Sequence, residues 1–142
     1  MSATQPAGYS GTPLPRKLGI KAGARLALIG APDGFGSTLG PLPEAVTVGR
    51  RLGRRPHDVI VAFFSRRVVL ERRLPELAEA LDSAGGLWIA WPKRASGVPT
   101  DVTEDVVRAL GLAAGLVDNK VCAIDQVWSG LRLVYRLRDR PR

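Results

Sequence analysis

The sequence is poor in the residues that build disulfides and metal sites. Its 142 residues include one cysteine and one histidine. A single cysteine cannot close a disulfide within the chain, and these two residues supply too few soft ligands for a structural zinc site. We therefore predict no metal site, and no motif in the chain predicts a bound cofactor.

Long apolar segments are missing as well. The longest apolar run, Val59 to Phe64, is far shorter than the ~20 residues that a membrane-spanning helix needs. Residues 1–17 contain no apolar stretch before their first charges, which is not the pattern of a secretory signal. We expect a cytoplasmic protein with no membrane partner.

Positive charge is what the chain has in excess, with a formal net charge of +8. The excess is uneven, because residues 50–73 carry eight arginines against two acids and residues 132–142 carry five against one. Residues 74–131 are acidic, with four bases against eight acids. Clustered bases attract phosphate backbones, and an arginine excess can equally reflect coding bias.

Apolar patterning predicts alternating strands and helices. An extended arm over residues 1–16 and a basic tail over 138–142 flank a domain over 17–137. Within it we predict a turn or short helix at Lys17–Lys21; strands at Arg25–Ile29, Val46–Val48, Asp58–Phe64, Leu87–Trp91, Val117–Ile124 and Leu131–Leu137; a helix from Arg66 towards Leu81 capped by Ser65; and one capped by Thr100 or Asp101. The long loop between the first two strands leaves little room for a full helix.

Strands that alternate with helices indicate a parallel sheet with right-handed crossovers. The fold class we predict is α/β, a Rossmann-like domain with a mostly parallel sheet, helices on its faces and an antiparallel hairpin at its carboxyl end. The topology of residues 58–137 resembles the second half of class I methyltransferases that use S-adenosylmethionine.

Short motifs also resemble a family of small bacterial proteins that is classed as a domain of unknown function. They are GYSGTPL (8–14), KLGIKAG (17–23), GPLP (40–43), AWPKRASGVPTDVTEDVVR (90–108) and the segment GLVDNKVCAID with WSGL (115–131). The resemblance covers nearly the whole chain and implies a single domain. It implies no catalytic residues.

Ligands of open α/β sheets bind beyond the carboxyl ends of the strands. The loop GAPDGFG (30–36) follows the first strand, but its glycine spacing is neither the dinucleotide fingerprint nor a P-loop. Pro32 removes an N–H that a phosphate cradle would use, and the glycines also suit plain turns. The ligand-binding candidates at this edge are Asp33, Gly34, Gly36, Ser65, Arg66, Lys93, Thr100 and Asp101.

The second strand ends in Gly49-Arg50-Arg51, where nucleoside-binding Rossmann folds place an acid that holds ribose hydroxyls. The sequence therefore predicts poor binding of S-adenosylmethionine. Cys122 lies in an apolar strand, and we interpret it as an inert core thiol. His57 precedes a strand and lies at the edge opposite the ligand loops.

Three functions stay open. The main interpretation is a non-catalytic module that binds an anionic small ligand or a protein partner at the strand ends. A divergent methyltransferase-like enzyme is the second. The third is an accessory protein that binds nucleic acid weakly and without sequence preference. It would use Arg50, Arg51, Arg54, Arg55, Arg67, Arg72 and Arg73.

Overall fold

Apolar strands and amphipathic helices build an α/β domain around one six-stranded sheet. The computed structural model describes residues 11–137. In chain order the elements are α1 (Leu14–Lys17), β1 (Arg25–Ile29), α2 (Phe35–Leu39), β2 (Thr47–Gly49), β3 (His57–Phe63), α3 (Arg67–Glu79), β4 (Leu81–Pro92), α4 (Glu104–Ala113), β5 (Leu116–Ala123) and β6 (Trp128–Tyr135).

The strands lie in the order β2-β1-β3-β4-β6-β5. The first four strands are parallel to one another, whereas β6 is antiparallel to both β4 and β5. The predicted α/β class, with a mostly parallel sheet and a closing antiparallel hairpin, is confirmed. In addition, β3 and β4 are neighbours, so the loops that follow them emerge at the same edge.

Both faces of the sheet are buried in its centre, because the strands β1, β3 and β4 carry continuous apolar runs towards their carboxyl ends. In β3, Ile60 and Ala62 point to one apolar cluster while Val59 and Val61 point to the other. The first cluster includes the buried residues of α3 and α4, so we call that side the α3–α4 face. The second includes those of α1 and α2, which makes it the α1–α2 face.

Several predicted boundaries are wrong for reasons of packing. The strand β4 begins at Leu81 rather than Leu87, and Gly85 and Gly86 lie inside it. A Cβ on Gly85 would lie 2.6 Å from the carbonyl oxygen of Asp58, and one on Gly86 would lie 2.3 Å from Nε of Arg132. These glycines therefore admit close neighbours instead of ending a unit.

The helices show related differences. The loop after β1 does contain a helix, the five-residue α2, and α1 begins at Leu14 inside the predicted arm. The N-cap of α4 is Thr103, whose hydroxyl accepts from the N–H of Val106 at 3.2 Å, so neither Thr100 nor Asp101 caps it. Residues 1–10 and the predicted tail, 138–142, lie outside the described residues.

Within residues 11–137, no helix is long and apolar enough to cross a bilayer.

Candidate functional site at the carboxyl edge of the sheet

The order of the strands locates the crevice of this sheet. From β1 the chain moves outward to β2, then crosses back over β1 to form β3 on its other side. This reversal makes the gap between β1 and β3 the topological switch point, where open α/β sheets bind their ligands. The loops that follow Ile29 and Phe63 form its two walls.

The wall that follows β1 begins with a glycine, so it presents backbone without a side chain to the crevice. Gly30 is exposed and has φ +67°, and a Cβ there would lie 3.2 Å from the carbonyl oxygen of Phe63. A side chain at this position would be strained and would press on β3, so only glycine leaves the crevice open. The candidates Asp33 and Gly34 are exposed in the same turn, and Gly36 is exposed in α2.

An aromatic row fixes this edge from the α1–α2 face. The ring of Phe63 contacts Phe35 edge-on at 4.9 Å and Trp128 edge-on at 5.1 Å, measured between centroids. The row therefore joins the start of α2, the end of β3 and the start of β6. Such edge-to-face pairs add roughly 0.5–1.5 kcal/mol beyond their buried area, which favours a rigid crevice.

The end of β2 lies beside the end of β1. Ala27 pairs with Gly49, so Arg50 and Arg51 follow β2 at the level where β1 approaches Gly30. Both arginines are exposed, and no Asp or Glu occurs in the sequence between Gly49 and His57. The edge is therefore cationic where a ribose-binding carboxylate would lie.

Three candidates hold the loop after β4 against the start of α3. The hydroxyl of Thr100 donates to the carbonyl oxygen of Ser65 at 2.7 Å. Oδ1 of Asp101 accepts from the N–H of Arg67 at 2.6 Å. The predicted capping of α3 by Ser65 is wrong, because Arg66 is the N-cap and its side chain makes no capping bond. The carboxylate that satisfies the helix start comes from another loop.

Lys93 and Arg66 have different neighbours. The N–H of Lys93 donates to the carbonyl oxygen of Val127 at 2.6 Å, and its ammonium is among the charges that act on the Cys122 thiol, which packs on the α1–α2 face. Arg66 is exposed at the start of α3, on the other face. That the two side chains share one concavity stays a prediction.

Cys122 is half-buried rather than fully enclosed. Burial raises the pKa of its thiol, and the positive charges of Lys17, Lys120 and Lys93 offset part of that rise. The thiol is therefore held in its protonated, poorly nucleophilic form.

A cavity of about 450 Å³ lies between the end of β4 and the start of α4. Its walls are mainly apolar, with Trp91, Pro92, Val98 and Pro99 among them, together with the charged residues Arg94 and Glu104. The Glu104 carboxylate forms an ion pair with Arg108, whose Nη2 lies 2.6 Å from Oε2 of Glu104. Of the predicted site residues, Thr100 lines this cavity and Lys93 does not.

Sequence patterns missed Arg94 and Glu104 as lining residues. Helix α4 begins at Glu104, one turn later than predicted, so Glu104 lies at the start of the helix, where it lines the cavity. The capping-box spacing of Asp101 and Glu104 favours a cap one turn too early. Among residues 11–137, no group of His, Cys, Asp or Glu is arranged to hold a metal ion.

The nucleic-acid candidates lie on the α3–α4 face. The connection from β2 to β3 carries Arg50, Arg51, Arg54 and Arg55. Leu52, in the middle of this connection, packs against the apolar cluster of the α3–α4 face. Arg67, Arg72 and Arg73 belong to α3. Two of these pair with acids of the same helix, Arg67 with Glu71 at 2.9 Å and Arg73 with Glu76 at 2.7 Å.

Comparison with known proteins gives no family by sequence, since neither a family profile nor a curated protein sequence matches the chain. Solved structures do match. A SAM-dependent methyltransferase from Aquifex aeolicus aligns over 83% of this chain and 85% of its own, with 16% identity and a TM-score of 0.61. The fold is a methyltransferase-like Rossmann fold.

Two further structures agree with this methyltransferase-like fold. A candidate type 11 methyltransferase from Sulfolobus solfataricus aligns over 91% of this chain and 93% of its own, with 13% identity and a TM-score of 0.62. The fibrillarin pre-rRNA processing protein of Methanococcus jannaschii aligns over 82% and 68%, with 16% identity and a TM-score of 0.58. At these identities the similarity shows the fold alone. The predicted methyltransferase-like topology is confirmed, whereas membership of the family of small bacterial proteins stays a prediction.

Proposed function

We propose that the chain is a divergent methyltransferase-like enzyme that binds S-adenosylmethionine at the switch point between β1 and β3. One observation carries the proposal: an α/β fold shared with methyltransferases over most of the chain keeps bare glycine backbone at its switch point. These neighbours support the enzyme over the non-catalytic module that the sequence alone favours.

The crevice has the open backbone that a nucleoside site needs, but it lacks the carboxylate that would bind the ribose. Gly30 lets a ligand approach the backbone, because a Cβ there would press on Phe63. The end of β2 supplies two arginines in place of a carboxylate for the ribose hydroxyls. A lost hydrogen bond to a charged group is worth about 1.5–3 kcal/mol, so we expect binding about 10- to 100-fold weaker than at a site that has the carboxylate.

S-adenosylmethionine would supply an electrophilic methyl group. In this proposal the residues of the chain bind and orient. The Gly30 turn holds the nucleoside, and the cavity beside β4 holds the methyl acceptor at the same edge of the sheet. With Trp91, Pro92, Val98 and Pro99 in its walls, that cavity suits a small, mainly apolar acceptor.

A thermal-shift measurement tests donor binding. With a dissociation constant of about 100 µM, S-adenosylhomocysteine at about 1 mM stabilises the folded protein by about 1.4 kcal/mol. For a domain of this size that free energy raises the melting temperature by about 5 °C. Adenosine at the same concentration is the matched control for non-specific nucleoside effects. No shift with S-adenosylhomocysteine would overturn the proposal.

The second candidate function is a module that binds an anionic ligand without catalysis. Arg50 and Arg51 at the end of β2 favour it, because arginine accommodates phosphate where an acid would hold a free ribose. It predicts that adenosine 3′,5′-bisphosphate raises the melting temperature while S-adenosylhomocysteine does not. The same titration therefore separates the two functions.

A further inference from the structure

We propose that an arginine surface on the α3–α4 face binds the phosphate backbone of nucleic acid. We define the arginine surface as Arg50, Arg51, Arg54, Arg55, Arg66 and Arg72. It goes beyond the proposed enzyme, since it needs no methyl donor, and it is tested at Arg54 and Arg55 rather than at Arg50 beside the crevice.

Topology brings these residues onto one side of the molecule. The connection from β2 to β3 leaves the carboxyl edge at Arg50 and reaches the amino edge at Pro56, while α3 covers the same distance from Arg66 to Glu79. The two segments touch at their far ends, where Arg54 and Arg55 line a groove of about 350 Å³ with Glu76 and Glu79. At 1.5 Å per residue, α3 makes this surface about 20 Å long.

The charges of the arginine surface are not neutralised within the described chain. All six side chains are exposed, and none makes an ion pair or a side-chain hydrogen bond with any of residues 11–137. Arg66 also lies at the amino end of α3, where the helix dipole disfavours a cation. A surface that keeps uncompensated charge against local electrostatics is suited to an anionic partner.

The connection that carries four of these arginines is anchored. Nε of Arg25 donates to the carbonyl oxygen of Pro56 at 3.0 Å, and the N–H of Gly53 donates to Nε2 of His57 at 2.9 Å. Leu52 packs into the α3–α4 cluster. These contacts order the backbone of the connection before a ligand binds. Binding therefore costs less conformational entropy than it would for a flexible loop.

The chemistry of the surface favours phosphate over bases. The aromatic residues of segment 50–80 are Phe63 and Phe64, and both are buried, so no ring is available there to stack on a base. Each strand of duplex DNA presents one negative charge per about 3.4 Å of axis, so a cationic strip about 20 Å long faces about six phosphates of one strand. We therefore expect duplex binding without sequence preference.

Fluorescence anisotropy of the intact protein with a short mixed-sequence duplex tests the surface. If six phosphates are contacted, affinity falls about a thousandfold between about 50 and about 200 mM salt. The double variant Arg54→Gln/Arg55→Gln should lose about two units of salt slope and reduce that fall to about a hundredfold. The variant Glu79→Gln should bind more tightly, because it removes an exposed carboxylate beside the groove.

The control is Arg16→Gln/Lys21→Gln, which removes the same charge from exposed positions on the α1–α2 face. It should keep the parental salt slope. Equal losses in both double variants would overturn the surface, since net charge alone would then explain binding. Absence of binding at low salt would also overturn it, as would tighter binding to phosphatidylserine vesicles that the duplex does not displace. None of these three outcomes decides whether S-adenosylhomocysteine binds.

Discussion

At the residue scale, His57 is a titratable side chain that lies in the buried interior of the described residues. It is buried, its Nε2 accepts from the N–H of Gly53, and its Nδ1 has no partner among residues 11–137. Burial lowers the pKa of His57, the nearby charge of Arg25 lowers it further, and Asp58 opposes both in part. The neutral ring is therefore part of what holds the arginine-bearing connection in place.

We predict that stability falls as pH drops below about 6.5, the ordinary pKa of histidine in an unfolded chain. Between that pH and the lower pKa of His57 in the folded protein, the unfolded chain binds a proton at His57 and the folded protein does not. The free energy of unfolding therefore decreases as the pH falls through this range, by at most about 1.4 kcal/mol per pH unit. Urea unfolding between pH 7.5 and 5.5 measures the slope. His57→Gln should flatten it, and an unchanged slope in that variant would assign it to other groups.

At the element scale, the sequence predicts the presence of all six strands, but it predicts the starts of the helices poorly. The strand β1, Arg25–Ile29, is confirmed to the residue, because continuous apolar patterning is a local signal. The start of α3 depends on Asp101, which lies 34 residues away from its partner Arg67. A cap supplied by a distant loop leaves no trace in the local pattern, which therefore favours the nearby Ser65.

The capping role of Asp101 can be measured. Asp101→Ala should lower the free energy of unfolding by about 1 kcal/mol, the usual cost of losing a cap side chain. Asp101→Asn keeps an acceptor oxygen and should cost less. Asp33→Ala, at an exposed aspartate, serves as the control and should be neutral in denaturant unfolding. If the alanine variants at both positions match the parent, the contact with Arg67 does not stabilise α3.

At the scale of the whole molecule, the fold class followed from alternation of strands and helices, but the site did not. The sequence predicts that one edge of the sheet carries Asp33, Ser65, Lys93 and Asp101. It does not predict that the connection from β2 to β3 crosses β1, and this crossing locates the crevice between β1 and β3. Pairing order is a long-range property. It distinguishes Gly30, at the switch point, from Thr100 and Asp101, which tie down the loop after β4.

The central claim is that this crevice holds a nucleoside donor with its ribose beside the end of β2. Calorimetric titration with S-adenosylhomocysteine tests it most directly when the parent is compared with Arg50→Asp, which restores a carboxylate there, and with Arg54→Asp, which makes the same charge change farther along the connection. We predict a dissociation constant of about 100 µM for the parent, about tenfold tighter binding or more for Arg50→Asp, and no gain for Arg54→Asp. The absence of heat in all three proteins at millimolar ligand, or equal gains in both variants, would contradict the claim.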